Sequence, residues 1–381
     1  MKEGVVEALV ELRDKIDQTD RQLLQLLAKR LELVRQVGEV KHRHGLPIYV
    51  PERELSMLQA RRDEAEQLGI SGDLIEDILR RVMRESYTRE NQFGFKTVNS
   101  DINKIVIVGG KGKLGSLFLR YFALSGYSVS VLERDDWGNA GEILENADVV
   151  IVSVPISCTI ETIERLAPYL TDNMLLTDLT SIKRAPLEKM LEIHKGAVLG
   201  LHPMFGPDIA NMAKQVIVRC DGRFPERYQW LLEQMQMWGS RLYQVSAEEH
   251  DKNMTYIQAL RHFSTFANGL HLSKQPISLA KLLALSSPIY RLELAMIGRL
   301  FAQDSALYAD IISDKPENLA VIESLKQTYE ESLKFFINDD KEGFIHSFEQ
   351  VKAWFGNYSD VFLKESRQLL QQANDGRDIS E

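Results

Sequence analysis

Cysteines, long apolar runs and excess positive charge are all scarce in this 381-residue sequence. Cys158 and Cys220 are its only cysteines and form no C-x-x-C pair, so neither a disulfide framework nor a zinc site is indicated. The acidic residues of the opening segment MKEGVVEALVELRDK, and the lack of any later run of membrane-spanning length, argue against a signal peptide or a membrane anchor. A net charge of −9 argues against a nucleic-acid partner. We therefore expect a cytoplasmic protein that binds neither membranes nor nucleic acid.

Residues 1–92 have the pattern of an all-α domain. From Val5 to about His44, apolar residues recur at helical spacing without an intervening proline, which predicts one helix of roughly 40 residues. At about 1.5 Å per residue this helix would be about 60 Å long, more than one small domain can cover. Its apolar stripe must therefore pack on a second chain or on a helix that folds back. Pro51 and Ser71 are suited to begin two further helices.

The next segment, residues 102–245, alternates short Val/Ile-rich runs with helical stretches. The runs are KIVIVGG, YSVSVLE, DVVIVSVP, MLLTDL, AVLGLHP, QVIVRC and RLYQVS. Because they are apolar throughout and do not alternate, they indicate a parallel sheet that is buried on both faces. We expect a doubly wound, Rossmann-like α/β domain here, and an all-α domain for substrate binding and dimerisation over residues 246–381.

A glycine-rich turn follows the first of these strands. Gly110, Gly112 and Gly115 stand in G-x-G-x-x-G order, and Glu133 ends the next apolar run. The glycines allow a tight turn and the close approach of a pyrophosphate to a helix N-terminus, while the acid can bond a ribose 2′-hydroxyl and repel a 2′-phosphate. We therefore expect a redox enzyme that binds NAD in preference to NADP, although the neighbouring Arg134 is the residue type that a 2′-phosphate would use.

A histidine lies at the carboxyl end of another predicted strand. His202 is in the proline-flanked segment LHPMFGP, and Ser181 and Lys183 follow the strand MLLTDL. The carboxyl ends of parallel strands form the edge where doubly wound folds bind ligands, so these side chains are expected to face one crevice. Removal of hydride from an alcohol needs a group that polarises or deprotonates its hydroxyl, and histidine suits that role near neutral pH.

The motifs VIVGGKGKLG, VSVPI, DLTSIK, GLHPMFGPD and SSPIYRLELAMIGRLFAQD together resemble the prephenate dehydrogenase family from Lys104 onward. The resemblance implies NAD-dependent oxidative decarboxylation of prephenate to 4-hydroxyphenylpyruvate, with no metal. His202 would then bond the 4-hydroxyl, Ser181 would assist it, and Arg299 would hold the ring carboxylate. The other matched positions are Ser153 and Pro155 beside the cofactor, and Lys183, His250, His262, Arg291 and Tyr308 around the substrate or effector pocket.

Charged residues of the N-terminal helices have spacings that group them on common faces. Arg30 and Lys41 are three helical turns apart and share one face, whereas Arg13 lies roughly 80–100° away. Arg13 could therefore reach the same ligand only from a folded-back or partner chain. Ser86 and Glu90, four residues apart, share a face of the third predicted helix. The second predicted helix opens with Arg53 and Glu54.

The segments LRDKID, LLAKRLELVRQVGEVK, PERE and ESYTREN resemble the all-α chorismate mutase domain over residues 5–92. The resemblance implies an intertwined dimer in which both chains build each site, and in which these arginines and the lysine hold the carboxylates and ether oxygen of chorismate. Rearrangement to prephenate is pericyclic, so it needs a clamped conformer and positive charge near the breaking C–O bond. Val50 and Glu90 depart from the common pattern, which has an acid and a glutamine there. Because a carboxyl group donates a hydrogen bond only when protonated, we predict a mutase rate that falls as pH rises.

Both resemblances together indicate the family of bifunctional chorismate mutase/prephenate dehydrogenases, in which the product of the first domain is the substrate of the second. They imply a homodimer and feedback inhibition by tyrosine, which should compete near the prephenate pocket because the sequence shows no appended regulatory domain. Two alternatives remain open. One is an NAD-dependent prephenate dehydrogenase with a non-catalytic helical dimerisation domain, and the other is a catalytically inactive nucleotide-sensing or scaffold protein.

Overall fold

The computed structural model of the chain describes residues 3–375. Two of the expected domains, residues 1–92 and 246–381, therefore include positions that lie outside the described residues, namely Met1, Lys2 and residues 376–381. The chain divides into two compact units between Glu248 and Glu249. The first unit contains the N-terminal helices together with the sheet, and the second is helical.

Three helices form the N-terminal part of the first unit: α1 (Glu3–His44), α2 (Pro51–Gln67) and α3 (Gly72–Glu90). Proline suits the first position of α2 because the amide hydrogen that it lacks would have no partner there. Gly69, which follows α2, has a φ of +73°, a left-handed conformation that favours glycine. Ser71 occupies the N-cap position of α3, as predicted, but its side chain makes no capping hydrogen bond. α3 packs against both α1 and α2.

The long helix α1 is covered along part of its length. In its carboxyl-terminal half, Gly38 lies against the ring of Phe93, in the short 3₁₀ turn that follows α3. In its amino-terminal half, Leu9, Leu12 and Ile16 are 44%, 56% and 59% exposed. The predicted apolar stripe is therefore present, and the described residues of one chain leave its first half open.

Each Val/Ile-rich run forms a strand of a single seven-stranded sheet. The strands are β1 (Ile105–Val108), β2 (Val129–Leu132), β3 (Val149–Val152), β4 (Leu175–Asp178), β5 (Ala197–Pro203), β6 (Val216–Arg223) and β7 (Arg241–Gln244). Their order is β2-β1-β3-β4-β5-β6-β7. All neighbours are parallel except β5 and β6, so the expectation of a parallel sheet is wrong at this one pair. The connection over residues 204–215 contains no helix, and a parallel return needs a longer crossover, which is usually helical.

Helices cover both faces of the sheet, as the doubly wound prediction requires, but the edge strand β7 is largely exposed, so the prediction of burial on both faces is wrong for that strand. One hydrophobic core joins the sheet to α4 (Lys113–Leu124) and α8 (Gln229–Met237), and the other joins it to α5 (Ala140–Leu144), α6 (Ile156–Leu166) and α7 (Arg184–Ile193). Along β1, Ile105 and Ile107 belong to the first core, whereas Val106 and Val108 belong to the second. Because successive side chains of a strand point to opposite faces, a strand between two cores is apolar at every position.

Helices make up the rest of the described chain, and residues 249–375 contain no strand. They are α9 (Ala247–Met254), a π-helical segment (Thr255–Leu260), α10 (Arg261–Ser273), α11 (Leu279–Leu285), α12 (Pro288–Phe301), α13 (Ser305–Ser313), α14 (Pro316–Ile337), α15 (Lys341–Phe355) and α16 (Tyr358–Asp375). α12 packs against α10 and α16. Across residues 3–375, each helix is too short or too polar to cross a membrane.

Candidate functional site

α1 and α3 bring four of the predicted mutase residues together. Nη1 of Arg30 donates to Oγ of Ser86 at 3.0 Å, and Nζ of Lys41 donates to Oε2 of Glu90 at 2.8 Å. Lys41 also donates to the carbonyl oxygen of Ile48 at 2.9 Å. Ser86 and Glu90 are 4% and 6% exposed. Both cations are therefore held in fixed positions by groups of the protein itself.

The carboxyl group of Glu90 has a perturbed protonation equilibrium. Burial raises its pKa above the ordinary value, and the nearby cations Lys41 and Arg30 offset this effect only in part. The ion pair with Lys41 alone would favour the ionised form, but the loss of hydration outweighs it. Protonated Glu90 therefore persists to a higher pH than an exposed glutamic acid, and in that form it can donate a hydrogen bond.

Glu54, the predicted substrate-binding acid of α2, is 6% exposed and bonded on both oxygens. The hydroxyl of Tyr87 donates to Oε2 at 2.6 Å, while Nη1 of Arg80 and Nζ of Lys214 lie 3.2 Å and 2.5 Å from Oε1. Burial and this hydrogen bond raise the pKa of Tyr87, so its phenol remains a donor. None of these three partners was predicted. The seven-residue spacing of Arg80 and Tyr87 on one helix was an available signal, whereas Lys214 comes from the β5–β6 loop, 160 positions away.

The two remaining mutase candidates lie at exposed positions. Arg13 is in the open amino-terminal half of α1, and Arg53 is at the start of α2. Arg13 precedes Arg30 by 17 residues, which is about 25 Å along the same helix. Arg13 and Arg30 of one chain therefore cannot hold the same small ligand.

The predicted cofactor residues gather at the carboxyl edge of the sheet. β1 lies between β2 and β3, so the winding direction reverses there, and doubly wound folds bind ligands in the crevice at such a point. A Cβ atom at Gly115 would overlap the carbonyl oxygen of Gly109. A Cβ atom at Gly109, whose φ is +78°, would overlap the carbonyl oxygen of Ser153. The turn thus places bare backbone at the N-terminus of α4, and these residues fit the pyrophosphate of a dinucleotide.

Glu133 lies directly after β2 and braces this turn. Its Oε1 accepts a hydrogen bond from the backbone amide of Lys111 at 2.7 Å. Ser153 directly follows β3 and its amide donates to β1, while Pro155 occupies the N-cap position of α6. Gly109 was not predicted because it precedes the G-x-G-x-x-G pattern, although the doubled glycine in IVGGKG was an available signal.

His202 and Ser181 lie at the same edge of the sheet. The register pairs Asp178, at the end of β4, with Gly200 of β5, so His202 extends two residues beyond that pair and Ser181 three. His202 is 3% exposed, and Ser181 is half-buried. The histidine is therefore fixed within a strand, close to the surface that the sheet presents to ligands.

Lys183 is completely buried beneath this edge. Its ammonium forms an ion pair with Asp178 and donates to the carbonyl oxygen of Leu201 at 2.7 Å. The backbone amide of Thr180 also donates to Asp178, at 3.1 Å. Lys183 thus connects the end of β4 to the residue before His202, and its predicted contact with substrate remains a prediction.

The second unit holds the other pocket candidates. His250 and His262, on either side of the π-helical segment, are 1% and 7% exposed, and Nδ1 of His250 lies 2.7 Å from the carboxylate of Asp251. Burial, aided by the charge of Arg261, lowers the pKa of His262 to about 4. The ring centroids of Tyr308 and His262 are 4.7 Å apart. His262 therefore presents a neutral ring beside an aromatic one near neutral pH.

α12 carries the two remaining candidates, Arg291 and Arg299. Arg291 is half-buried, and Arg299 is exposed in the last turn of the helix. Eight residues separate them, which is about 80° around the helix axis. Their predicted contacts with substrate remain predictions.

Three protein-family models match successive parts of the chain. Residues 12–91 match chorismate mutase type II. Residues 132–216 match the nucleotide-binding domain of prephenate dehydrogenase, and residues 246–350 match its dimerization domain. The order of these matches agrees with the order of the segments that the structure describes.

Curated relatives are similar over nearly the whole length of the chain. It is 76% identical to the T-protein of Haemophilus influenzae, over 97% of this chain and 98% of the relative. It is 59% identical to the T-protein of Enterobacter agglomerans, over 98% and 100% of the two chains. Among solved structures, prephenate dehydrogenase from A. aeolicus, in complex with hydroxyphenyl propionate and NAD+, has a TM-score of 0.54 at 17% identity, over 66% of this chain and 96% of that one. At that identity the structural match supports the fold alone.

Proposed function

The chain belongs to the T-protein family, and from this membership we propose that it catalyses two successive steps of tyrosine biosynthesis. The first rearranges chorismate to prephenate, and the second oxidatively decarboxylates prephenate to 4-hydroxyphenylpyruvate with NAD. One observation carries the proposal: a chorismate mutase match and two prephenate dehydrogenase matches occur in order on a chain that is 76% identical to a T-protein. We place both reactions in the cytoplasm, where Cys158 and Cys220, which form no disulfide, would stay reduced.

In the first reaction the protein supplies a fixed pattern of charge. One C–O bond of chorismate breaks while a C–C bond forms, and no proton moves. Arg30 and Lys41 suit the anionic groups of this substrate because Ser86, Glu90 and Ile48 already orient them. Donors that are oriented in advance stabilise developing charge without reorganising during the reaction. Protonated Glu90 would donate to the ether oxygen.

We propose that a second copy of the chain completes this site. A ligand bound to Arg30 can meet Arg13 only from another chain, since the two lie about 25 Å apart on one helix. Leu9 and Ile16, close to Arg13 in sequence, are exposed and available for that pairing. The match of residues 246–350 to a dimerization domain supports a homodimer as well.

In the second reaction, residues at the carboxyl edge of the sheet bind the cofactor, and one of them accepts a proton from the substrate. The glycine turn and the N-terminus of α4 would hold the pyrophosphate of NAD, and Glu133 would bond its ribose. When bound, NAD supplies the acceptor for the hydride from C4 of prephenate. His202 takes the proton of the 4-hydroxyl, assisted by Ser181, and Arg299 holds the ring carboxylate. Loss of CO₂ leaves its bonding electrons in the ring, which becomes aromatic, and His202 returns the proton to the ring oxygen to give 4-hydroxyphenylpyruvate. Formation of the aromatic ring makes the reaction irreversible.

We further propose that tyrosine inhibits the dehydrogenase by competing with prephenate. The neutral ring of His262 beside Tyr308 is an environment suited to a phenol. Tyrosine should therefore raise KM for prephenate and leave kcat unchanged. Full activity at saturating tyrosine would refute this part of the proposal.

Two assays on the purified full chain test the proposed function: consumption of chorismate, and NADH formation from prephenate and NAD. We expect His202→Asn to abolish NADH formation and to retain chorismate turnover, and Lys41→Met to have the opposite effect. A wild-type chain that consumes no chorismate would favour the alternative in which the helical domain only dimerises the dehydrogenase. A wild-type chain that forms no NADH from prephenate would exclude the dehydrogenase.

A further inference from the structure

The β5–β6 loop, residues 204–215, connects the sheet to the N-terminal helices. Within it, Nδ2 of Asn211 donates to Oγ1 of Thr88 on α3 at 3.0 Å. Three residues later, Nζ of Lys214 reaches Oε1 of Glu54 on α2 at 2.5 Å. The strand that carries His202 therefore leads, through one loop, to the acid that was predicted to bind chorismate.

Lys214 is held in an unusual backbone conformation. Its φ is +67°, in the left-handed region that side chains other than glycine rarely adopt. Its amide donates to the carbonyl oxygen of Gly239 at 2.9 Å, and the amide of Met212 donates to the hydroxyl of Tyr121 at 3.0 Å. Such a conformation persists where the surroundings determine it, and functional positions are enriched in it. With the backbone held in this way, the Lys214 side chain reaches Glu54 on α2.

The ammonium of Lys214 lies in a site built largely by the N-terminal helices. It is 5.2 Å from the ring centroid of Tyr49 and 5.9 Å from that of Tyr87, distances at which a cation is attracted to an aromatic face. Tyr87 in turn donates to Oε2 of Glu54. The loop thus places a cation of the nucleotide-binding domain against two rings and one carboxylate of the helical domain.

Glu54 keeps capacity for one further hydrogen bond. An ionised carboxylate offers about four acceptor positions, and Tyr87, Arg80 and Lys214 account for three. The remaining position can accept a donor such as the hydroxyl of chorismate. A buried carboxylate would also repel the two carboxylates of that substrate, and a cation on the same oxygen offsets the repulsion.

We infer that Lys214, a residue of the nucleotide-binding domain, is a positioning residue for the chorismate mutase reaction, which it serves by orienting and neutralising Glu54. The inference rests on the proposed mutase activity and on the predicted role of Glu54. The dehydrogenase part of the chain would thus contribute indirectly to the reaction of the mutase part. Lys214 touches no substrate in this arrangement, so its effect passes through Glu54.

Variants of the full chain test this role. We expect Lys214→Met to lower kcat/KM for chorismate by about tenfold to a hundredfold, mainly through KM, because a displaced Glu54 no longer meets the substrate hydroxyl. Lys214→Arg should recover most of the loss. Lys189 provides a matched control, since it pairs with Glu164 and Glu192 at 3.0 Å and 2.8 Å within the nucleotide-binding domain. Lys189→Met should leave chorismate turnover unchanged.

A double-mutant cycle separates this role from a general effect on folding. In a Glu54→Gln background, Lys214→Met should change kcat/KM for chorismate less than twofold, because the ion pair is already gone. If the two substitutions lower kcat/KM by independent factors that multiply in the double variant, the inference is wrong. An equal loss of mutase and dehydrogenase activity in both Lys214→Met and Lys214→Arg would also overturn it, since this pattern indicates a folding defect. A wild-type chain without mutase activity would refute the proposed function instead, whereas an active wild type with a fully active Lys214→Met would refute only the role of Lys214.

Discussion

The ammonium of Lys41 lies 2.8 Å from Oε2 of Glu90, a carboxyl group that is 6% exposed. The pair joins a residue of α1 to one of α3 and stands beside the contact between Arg30 and Ser86. A cation and a buried acid in contact make this cluster sensitive to pH. The direction of that sensitivity follows from burial, which raises the pKa of Glu90 more than the cations lower it.

Mutase activity should fall as pH rises through the raised pKa of Glu90. Below that pKa the carboxyl is protonated and can donate to the ether oxygen of chorismate, while above it the carboxylate can only accept. With one proton involved, kcat/KM should fall by about tenfold per pH unit above the pKa. Glu90→Gln, whose amide donates at any pH, should flatten the profile. If the pH profile is the same in both proteins, Glu90 does not donate to the ether oxygen.

Gly115→Ala should weaken NAD binding. The added methyl group would overlap the carbonyl oxygen of Gly109, so the turn or α4 must shift. Overpacking of this kind costs about 1–3 kcal/mol, which corresponds to a rise in KM for NAD of roughly 5- to 150-fold. Gly138→Ala is the control, since a Cβ atom there meets nothing within 4 Å. NADH formation at varied NAD concentration measures both, and equal KM values in the two variants would contradict the expected role of the turn.

Glu133 should contribute to cofactor choice and to the shape of the turn through separate properties. Glu133→Gln retains an oxygen for the Lys111 amide but loses the charge that repels a 2′-phosphate, so the preference for NAD over NADP should fall by about tenfold. Glu133→Ala loses the brace as well and should also raise KM for NAD. The ratio of kcat/KM for NAD to kcat/KM for NADP, determined for the wild type and both variants, measures the preference. An unchanged ratio in Glu133→Gln would assign cofactor choice to another residue.

Lys183→Met should destabilise the first unit strongly. It leaves Asp178 buried without its cation, a change that costs about 3–5 kcal/mol. The double variant Lys183→Met/Asp178→Asn removes both charges and should recover part of that loss. Urea denaturation followed by the fluorescence of the buried Trp230 and Trp238 reports the difference. If the double variant is no more stable than Lys183→Met, the buried charge is not the cause.

Local patterns were sufficient to predict the three N-terminal helices and the seven strands, but not the bounds of the helices after residue 246. Helical periodicity predicted α1, and a suitable first residue marked the start of α2, because spacing and capping act over one or two turns. Strands buried on both faces are apolar at every position, so β1 and β3 were identified from composition alone. The antiparallel direction of β6 was not predicted, because it depends on the path of residues 204–215 between β5 and β6.

The sequence by itself determined the N-terminal helices, the strands, the glycine turn and the shared faces of Arg30 with Lys41 and of Ser86 with Glu90. These depend on interactions between residues that are close along the chain. Only the tertiary structure decided that Lys183 reaches the carbonyl oxygen of Leu201 on the next strand, that Gly109 packs on Ser153, and that Lys214 meets Glu54 from 160 positions away. Such contacts depend on which surfaces the fold brings together, and neither periodicity nor composition encodes that pairing.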